Sequence, residues 1–526
     1  MSGVPSLLQM AAPVIGQVTP TTTTTTTGIQ FPSVLLSAIV FAPFIAFMLI
    51  PFFPERTPEE RSRVRLVALF AAGLSFFLAA FFGMLGQIGL AEGGGQTAAN
   101  EENMHWLSFS FVSNFHLTAD GLSLTLLLLT TLLFVCLFFH AWKVQQRVRL
   151  YVGLLLLLET SVNGVLCSAD YILFLLFWGM QILPVYLLLR LWSAPERRAV
   201  ANRYLAVSLT AFTLITTAVV LVIVKAGQQS SDIAQDYQTL LPAVETAGFW
   251  LSLAGFGLSL GIFPLHRWMV QATTESAAGV SAAISGIVLT LGAYGLMRVT
   301  MPDFPHATRQ YSLLIVGLAV VGAAWGAVGA LSQNDVRRFL AYTNLGQLSF
   351  VLLAVGGHTS IALEGATFLL VAHGLAIVLL TLVAGSIEER TRTRSIRALG
   401  GLLEQMPRLG ALWMFGVLTI AGAPLLAGFV ADLMLFTGAY PAHRIATVLA
   451  MATLVVSAAG LVWAAHRIFF GPPREAFARV RDATSLELTY LLPIVALVLL
   501  FGIRPGAVTP VITNGVLQIT TRFTTG

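Results

Sequence analysis

The sequence predicts an all-α integral membrane protein with about 14 transmembrane helices, built as two inverted five-helix repeats (helices 4–8 and 9–13) with interrupted helices 7 and 12. Three observations predict it. Hydrophobic residues make up 56% of the 526 residues and charged residues only 10%, which is too little polar surface for a water-soluble protein of this size. Apolar runs of ~20 residues, the length that crosses the hydrocarbon core, recur along the chain. Glycine and proline interrupt two of these runs, five spans apart.

The apolar runs, bounded by charge, glycine or proline, define the spans in chain order. They cover approximately 31–53, 64–90, 121–142, 150–168, 169–193, 200–226, 247–270, 276–300, 311–331, 336–356, 361–387, 406–438, 444–470 and 485–503. The junctions at 168–170 and 438–444 are the shortest, so the count depends most on them.

The distribution of Lys and Arg provides an independent test of this count. If the spans are as given, 23 of the 29 basic residues lie on the side reached after the first span, and six lie on the other. Basic residues concentrate in cytoplasmic loops, so the rich side is the cytoplasmic-type face and both termini lie outside. The arginine-rich loop Arg390–Arg397 belongs to the rich face. The net charge of +5 then follows from topology, and no nucleic-acid partner is predicted.

These assignments divide the chain into five segments. The loop 91–120, which has acidic residues but no Lys or Arg, covers the outer face and offers no recognisable chemistry. The N-terminal stretch has no basic region of the kind that begins a signal peptide. The segments are an external N-terminal tail (1–30), helices 1–3 (31–142), the first repeat (150–300), the second repeat (311–470), and the last helix with a C-terminal tail (485–526).

Helix breakers lie deep inside two spans. The seventh contains Gly261 and Pro264, and the twelfth contains Gly422 and Pro424. Proline removes a backbone donor and clashes with the preceding turn, and broken helices are tolerated in a membrane only where they line a cavity or are buried in protein. An odd number of helices per copy forces the two copies into inverted topology. The alternative is two proline kinks that serve packing alone.

Few ionisable residues lie at membrane depth, and each is a functional candidate because burying a charge there costs at least ~2.5 kcal/mol. Glu159 lies in the fourth span, His373 in the eleventh and Asp432 in the twelfth, while Glu364 and His140 lie near helix ends. Carboxylic acids and imidazoles that exchange protons are the groups of a proton relay. For His373 the alternative is a histidine satisfied by a neighbouring hydroxyl or carbonyl.

Short motifs lie along the chain between residues 119 and 506. They include Ala119-Asp120-Gly121, Phe177-Trp178, Phe263-Pro264-Leu265-His266-Arg267-Trp268, Thr274-Glu275, Leu291-Gly292-Ala293-Tyr294-Gly295, His373-Gly374-Leu375, Gly428-Phe429-Val430 and Arg504-Pro505-Gly506. Together these motifs resemble the antiporter-like, proton-translocating membrane subunits of respiratory complex I and related antiporters, most closely the subunit M (chain 4) type. The chain ends about twenty residues after the last span, without the long lateral helix of the largest such subunit.

The resemblance implies the same fold and a membrane-arm subunit of a proton-pumping NADH- or ferredoxin-quinone oxidoreductase, without redox catalysis in this chain. NADH or ferredoxin, FMN, iron–sulfur clusters and quinone would then belong to partner subunits. The residues agree, because Cys136 and Cys167 cannot supply a thiolate cluster or zinc site and no Rossmann fingerprint follows a strand. The partners implied are other membrane-arm subunits and the lipid bilayer. The location implied is a bacterial plasma membrane, with thylakoid or organellar membranes as alternatives.

The resemblance also assigns proton-transfer roles, and it marks where this sequence departs from the family. The retained positions are His373, Asp432, Glu159, His266 and Glu275. The departures are Gly179 in place of a glutamate, with Gln181 at a second acidic position nearby, Ser259 and Thr290 in place of lysines, and Gln347 in place of a histidine.

The first repeat has therefore lost its Glu–Lys pair, and we expect apolar packing or water around Gly179, Ser259 and Thr290. A proton entering there would use Glu159, hydroxyls and water, since Arg203, in the place of a lysine, cannot cycle its charge. In the second repeat we expect His373 and Asp432 on a buried polar axis joined by water or hydroxyls. Two alternatives stay open: a structural paralogue that does not pump, and a subunit of a multi-subunit cation/proton antiporter.

Overall fold

The computed structural model describes residues 34–91, 101–108, 112–193, 198–225, 231–233 and 240–525. The expected external tail, 1–30, lies outside these residues. Within the described part, thirteen helices are long and apolar enough to cross a membrane, and a further span consists of two shorter apolar helices. The chain is a multi-pass integral membrane protein of fourteen spans, as the hydropathy predicts.

The helices follow the predicted order, and both short junctions separate distinct helices. Spans 1–14 are Leu35–Leu49, Pro58–Ala91, Gly121–His140, Val148–Cys167, Tyr171–Met180 with Ile182–Trp192, Arg198–Lys225, Pro242–Leu260 with Arg267–Glu275, Ala278–Asp303, Ser312–Leu331, Val336–Gly357, Ser360–Thr391, Pro407–Ile420 with Ala427–Ala439, Arg444–Phe469 and Ser485–Ile503.

Spans 7 and 12 are interrupted at the predicted residues. The first half of span 7 ends at Leu260, and Gly261 follows with a left-handed backbone, φ 73°. The first half of span 12 ends at Ile420, and Gly422 follows with φ 69°. Glycine adopts this conformation without the steric cost that a side chain imposes. The two breaks therefore share their backbone geometry as well as their place in the order of spans.

A second feature, absent from our sequence analysis, also recurs five spans apart. Just before span 5, Asp170 forms an isolated β-bridge with Asp232 in the loop between spans 6 and 7. Just before span 10, Asp335 forms one with Ser395 in the loop between spans 11 and 12. Asp170 and Asp335 also accept hydrogen bonds from the first backbone amides of spans 5 and 10. If successive spans alternate in direction across the membrane, the two bridges lie on opposite faces, as an inverted repeat requires.

Ion pairs join loops that the charge distribution assigns to the basic face. They link the loop between spans 1 and 2 to span 4, the end of span 7 to span 10, and the start of span 12 to the loop between spans 13 and 14. The pairs are Glu55–Arg149 at 3.6 Å, Glu275–Arg338 at 3.8 Å and Arg408–Asp482 at 4.0 Å.

The outer face carries a β-hairpin, where the sequence analysis placed an irregular loop. Strands Glu102–Ser108 and Val112–Leu117 pair antiparallel. Oε1 of Glu102 accepts a hydrogen bond from the backbone N–H of Leu36 at 2.7 Å, so the hairpin also caps span 1.

The C-terminal segment is a helix, Thr509–Thr525, where we expected a tail. It packs against the N-terminal end of span 3, where Gly515 lies against the backbone of Gly121 and Leu122 with no room for a Cβ atom. The sequence analysis missed it because its alternating Thr and apolar residues are too polar to count as a span.

We predict that the hairpin is held more firmly at low pH. Nδ1 of His116 lies 3.1 Å from Asp232, and Nε2 lies 3.5 Å from Glu101. Burial lowers the pKa of His116, but the hydrogen bond and charge of Asp232, together with Glu101, outweigh it and raise that pKa overall. The stabilisation is thus complete below about pH 6.5 and is lost as pH rises through the higher folded-state pKa. Amide protection factors in Val112–Leu117, which are corrected for the intrinsic rise of the exchange rate with pH, should fall over that range, and His116→Asn should abolish the fall.

Candidate proton-transfer site

His373 lies in the middle of span 11 and is bonded on one side only. Its Nε2 atom lies 2.6 Å from Oδ1 of Asn344 in span 10, and its Nδ1 atom has no hydrogen-bond partner within the described residues. The amide nitrogen of Asn344 is likewise unpartnered there. Buried polar atoms are normally paired, so these two unpartnered atoms are exceptions that need a physical explanation.

Gln347 lies one turn beyond Asn344 and reaches the break in span 12. Its side-chain amide donates to the carbonyl oxygen of Ile420 at 3.1 Å. In an unbroken helix that carbonyl would accept from residue 424, but Pro424 has no N–H. Gln347 therefore satisfies the backbone group that the break exposes, and this gives a physical role to the residue that replaces the family histidine.

Asp432 faces the same break from the second half of span 12. Its side chain is buried, and a Cβ atom on Gly422 would lie only 2.9 Å from its Oδ2 atom. Its Oδ1 atom has no partner within the described part of the chain. His373 thus contacts Asn344 of span 10, and Gln347, one turn along that span, contacts the break in span 12 that Asp432 faces. Amide and carbonyl groups occupy the middle of this axis, where we expected water or hydroxyls.

The first repeat shows no equivalent polar axis at the departing positions. A Cβ atom on Gly179 would lie 3.3 Å from the ring of Phe212, so apolar packing fills that place. The hydroxyl of Ser259 donates to Gly255 at 3.1 Å, and that of Thr290 donates to the carbonyl of Ile287 at 2.6 Å. Both hydroxyls are therefore turned back onto their own helices. Nearby, Oε1 of the buried Gln181 is unpartnered among the described residues.

Glu159 is fully buried in span 4, and neither carboxyl oxygen has a hydrogen-bond partner within the described residues. An ionised carboxylate without a partner is the most costly group to bury, so the neutral acid is the form that this environment accommodates. Glu159 is separated from the axis of the second repeat, since its helix, span 4, packs mainly against spans 1, 2, 3 and 5.

His266 and Glu275 lie at opposite ends of the second half of span 7. His266, at the break, stacks on Phe263 with ring centroids 5.8 Å apart, and its Nδ1 atom is unpartnered among the described residues. Glu275 faces Arg338 on the basic face. The structure therefore links His373 to Asp432 only indirectly, through Asn344, Gln347 and the broken backbone of span 12, and it places Glu159, His266 and Glu275 elsewhere.

Sequence reasoning missed a buried carboxylate at the start of span 14. Glu487 has no exposed side-chain surface and accepts hydrogen bonds from Lys143, Arg390 and Ser386 at 2.8, 2.6 and 2.6 Å. The available signal was the spacing of Thr484 and Glu487, which also form a capping box. That pattern accounts for Glu487 as a helix-capping residue, so the sequence gives no sign that it also forms ion pairs with Lys143 and Arg390.

Sequence reasoning also missed an ion pair that joins the Ala119-Asp120-Gly121 motif to the helix that carries the motif beginning at Leu291. Asp120, which caps span 3, pairs with Arg298 near the end of span 8, and both side chains are more than nine-tenths buried. Between them, the hydroxyl of Tyr294 lies 3.1 Å from that of Ser123. The pair fastens span 3 to the first repeat at the outer face.

Comparisons with known proteins find a matching family and relatives that cover most of the chain. Residues 168–457 match the family described as NADH:quinone oxidoreductase/Mrp antiporter, TM. The chain is 31% identical over 501 residues to an NAD(P)H-quinone oxidoreductase chain 4 of Trichormus variabilis, covering 91% of this chain and 90% of that one. It is 32% identical over 479 residues to the F(420)H(2) dehydrogenase subunit M of Methanosarcina mazei, covering 85% of this chain and 95% of that one.

Two solved structures share the fold. One chain of respiratory complex I from Thermus thermophilus aligns with a TM-score of 0.81 at 24% identity, covering 92% of this chain and 99% of that one. One chain of the Mrp complex from a Dietzia species aligns with a TM-score of 0.80 at 21% identity, covering 93% and 97%.

Proposed function

The chain belongs to the NADH:quinone oxidoreductase/Mrp antiporter transmembrane family, and we propose that it is a membrane-arm subunit of a proton-pumping quinone oxidoreductase. The relatives named above, a quinone oxidoreductase chain and a subunit of an F(420)H(2) dehydrogenase, match almost the whole chain. They support assignment to an electron-transfer complex more directly than the shared fold does. Its membrane would be a bacterial plasma membrane, and its partners the other membrane-arm subunits.

The observation that carries the proposal is the axis from His373 through Asn344 and Gln347 to Asp432. Its two ends are groups that bind protons, and each end has an atom unpartnered in the described residues. A broken helix lies beside one end, where its free backbone groups can change partners at low cost. A proton could pass along this axis when water enters beside the free Nδ1 atom of His373.

Redox chemistry would be left to partner subunits. Among the described residues no group of three or more His, Cys, Asp or Glu side chains could hold a metal ion. Cys136 and Cys167 are both buried and unpaired. In this proposal NADH or ferredoxin, FMN, iron–sulfur clusters and quinone bind other chains, and this chain couples their chemistry to proton movement through its conformation.

One observation favours a second candidate, a structural subunit that does not pump. Phe212 fills the place beside Gly179, and Ser259 and Thr290 bond to their own helices, so the first repeat offers no Glu–Lys pair at the family positions. This candidate and ours differ only in whether the second repeat moves protons. A cation/proton antiporter subunit, the third possibility, differs in its partners.

Purification of the native complex through a tag on this chain tests the proposal. We expect it to copurify with a quinone-binding subunit and iron–sulfur proteins, and we expect vesicles containing the complex to take up protons when NADH or reduced ferredoxin reduces quinone. Copurification with antiporter subunits alone, and cation exchange without any electron donor, would show that the third possibility is correct.

A further inference from the structure

We propose that Lys143, Glu487 and His140 form a proton-loading site between the two repeats, entered from the basic face. We call it the seam site, and it comprises Lys143, Glu487, His140, Tyr490 and Ser386. The inference rests on the proposed pumping function and concerns where protons enter. It replaces, in this chain, the entrance that the first repeat lacks.

The first observation is the choice of lysine. The sequence contains 27 arginines but only two lysines, Lys143 and Lys225. Lys143 places its Nζ atom 2.8 Å from the fully buried Glu487 and 3.0 Å from the hydroxyl of Ser386. Arginine forms a static ion pair as well as lysine does. Of these two residue types, only lysine can give up its proton in a protein. Glu487 is fully buried and Lys143 is 19% exposed, and each has a second partner: Arg390 donates to Glu487 at 2.6 Å, and Glu389 lies 2.8 Å from Lys143. The seam site thus holds a Glu–Lys pair of the kind absent from Gly179 and Ser259.

The second observation is a cleft that opens on the basic face and reaches His140. It has a volume of about 340 Å³, and its inner wall is formed by His140, Tyr151 and Gly279. Its rim carries both signs of charge, with Lys143 and Arg392 near Glu388 and Glu389. It runs between span 8 of the first repeat and spans 10 and 11 of the second. A cleft of this size and polarity admits several water molecules to the histidine.

Gly279 keeps the inner end of the cleft open. A Cβ atom at this position would lie 2.7 Å from the hydroxyl of Tyr151 and 2.9 Å from Cδ2 of His140. Glycine is therefore required by the approach of these two side chains, since its backbone lies in an ordinary helix. Any larger residue must displace one of them.

The third observation is a continuous set of proton-bearing groups between the cleft and Glu487. Nδ1 of His140 lies 3.3 Å from the hydroxyl of Tyr490. Tyr490 lies one helical turn after Glu487 and interacts with Ser386, whose hydroxyl donates to Glu487 at 2.6 Å. If His140 donates from Nδ1 to Tyr490, its Nε2 lone pair is the atom available to the cleft.

The proton transfer then balances simply. Water in the cleft gives a proton to Nε2 of His140, and the imidazolium releases the proton on Nδ1 to Tyr490. The Tyr490 and Ser386 hydroxyls each pass one proton on and regain one, and the Glu487 carboxylate takes up the last. Neutralising Glu487 removes one of the two carboxylates that hold Lys143, so Lys143 can rearrange or pass a proton to Glu389, its other carboxylate partner at 2.8 Å.

The test compares variants in the purified complex reconstituted into vesicles. In Lys143→Arg the ion pair is preserved but the cation no longer cycles, and we expect normal assembly and quinone reduction with fewer protons translocated per quinone. His140→Gln and Gly279→Ala should show the same fall. Lys225→Arg, at the other lysine, and Gly73→Ala, whose added Cβ meets nothing within 4 Å, are the matched controls and should be unchanged.

Each outcome is decisive when Asp432→Asn is measured alongside. The seam site is supported if Lys143→Arg lowers the number of protons translocated per quinone as much as Asp432→Asn does, and if the double variant lowers it no further. Both residues would then lie on one proton path. If Lys143→Arg pumps fully while Asp432→Asn translocates fewer protons, the seam site alone is overturned, and Lys143 and Glu487 form a structural ion pair. Full pumping by both variants overturns the seam site and the proposed function together.

Discussion

Replacing Asp432 with asparagine is expected to reduce proton translocation without preventing assembly. The carboxyl group faces the break in span 12, and its Oδ1 atom makes no hydrogen bond within the described residues that asparagine would lose. Asp432→Asn removes the proton-binding carboxyl group, and the asparagine side chain keeps nearly the same shape. We expect the number of protons moved per quinone reduced to fall by the whole contribution of this subunit, measured as dye-reported proton uptake in vesicles.

His373→Phe should produce the same loss, because an apolar ring removes the other proton-binding end of the axis. Glu364→Gln is the matched control for Asp432→Asn, because it also replaces a carboxylic acid with an amide. Glu364 lies on the same helix as His373, but its carboxylate contacts Thr513 at the outer face. Undiminished pumping in both Asp432→Asn and His373→Phe would favour the structural subunit that does not pump.

The features that sequence predicted are those set by local composition. Span count follows from apolar length, and the breaks follow from Gly261, Pro264, Gly422 and Pro424, because backbone conformation and the missing N–H act within a few residues. His373 and Asp432 could be nominated because a polar group in hydrocarbon is costly wherever its neighbours are. These inferences needed no knowledge of which helices touch.

The features that sequence missed depend on contacts between distant helices. Lys143 and Glu487 are more than three hundred residues apart, and each ends or begins a helix where a charged residue is ordinary. The role of Gln347 depends on the placement of span 10 beside the break in span 12. No periodicity or charge count distinguishes such residues from exposed polar ones, so the proton entrance could not be located from the sequence alone.

The ion pair between Asp120 and Arg298 should be the largest single contribution to stability at the outer face. The side chains are 6% and 8% exposed, so removing either partner leaves the other as an uncompensated buried charge. Such changes typically cost about 3–5 kcal/mol, whereas replacing both partners by apolar residues costs much less. Asp120→Leu and Arg298→Met should therefore each lower the thermal midpoint of the purified complex sharply and reduce the amount assembled.

The double variant Asp120→Leu/Arg298→Met distinguishes a coupled pair from two separate effects. If the charges act as a pair, the double variant recovers most of the stability that either single variant loses, since no buried charge remains unmatched. Arg444→Met, which removes an exposed arginine from the same face, controls for the change in charge and should leave the midpoint unchanged. A double variant as unstable as the sum of the singles would mean that Asp120 acts mainly as the cap of span 3, through its hydrogen bond from the backbone of Ser123 at 2.9 Å.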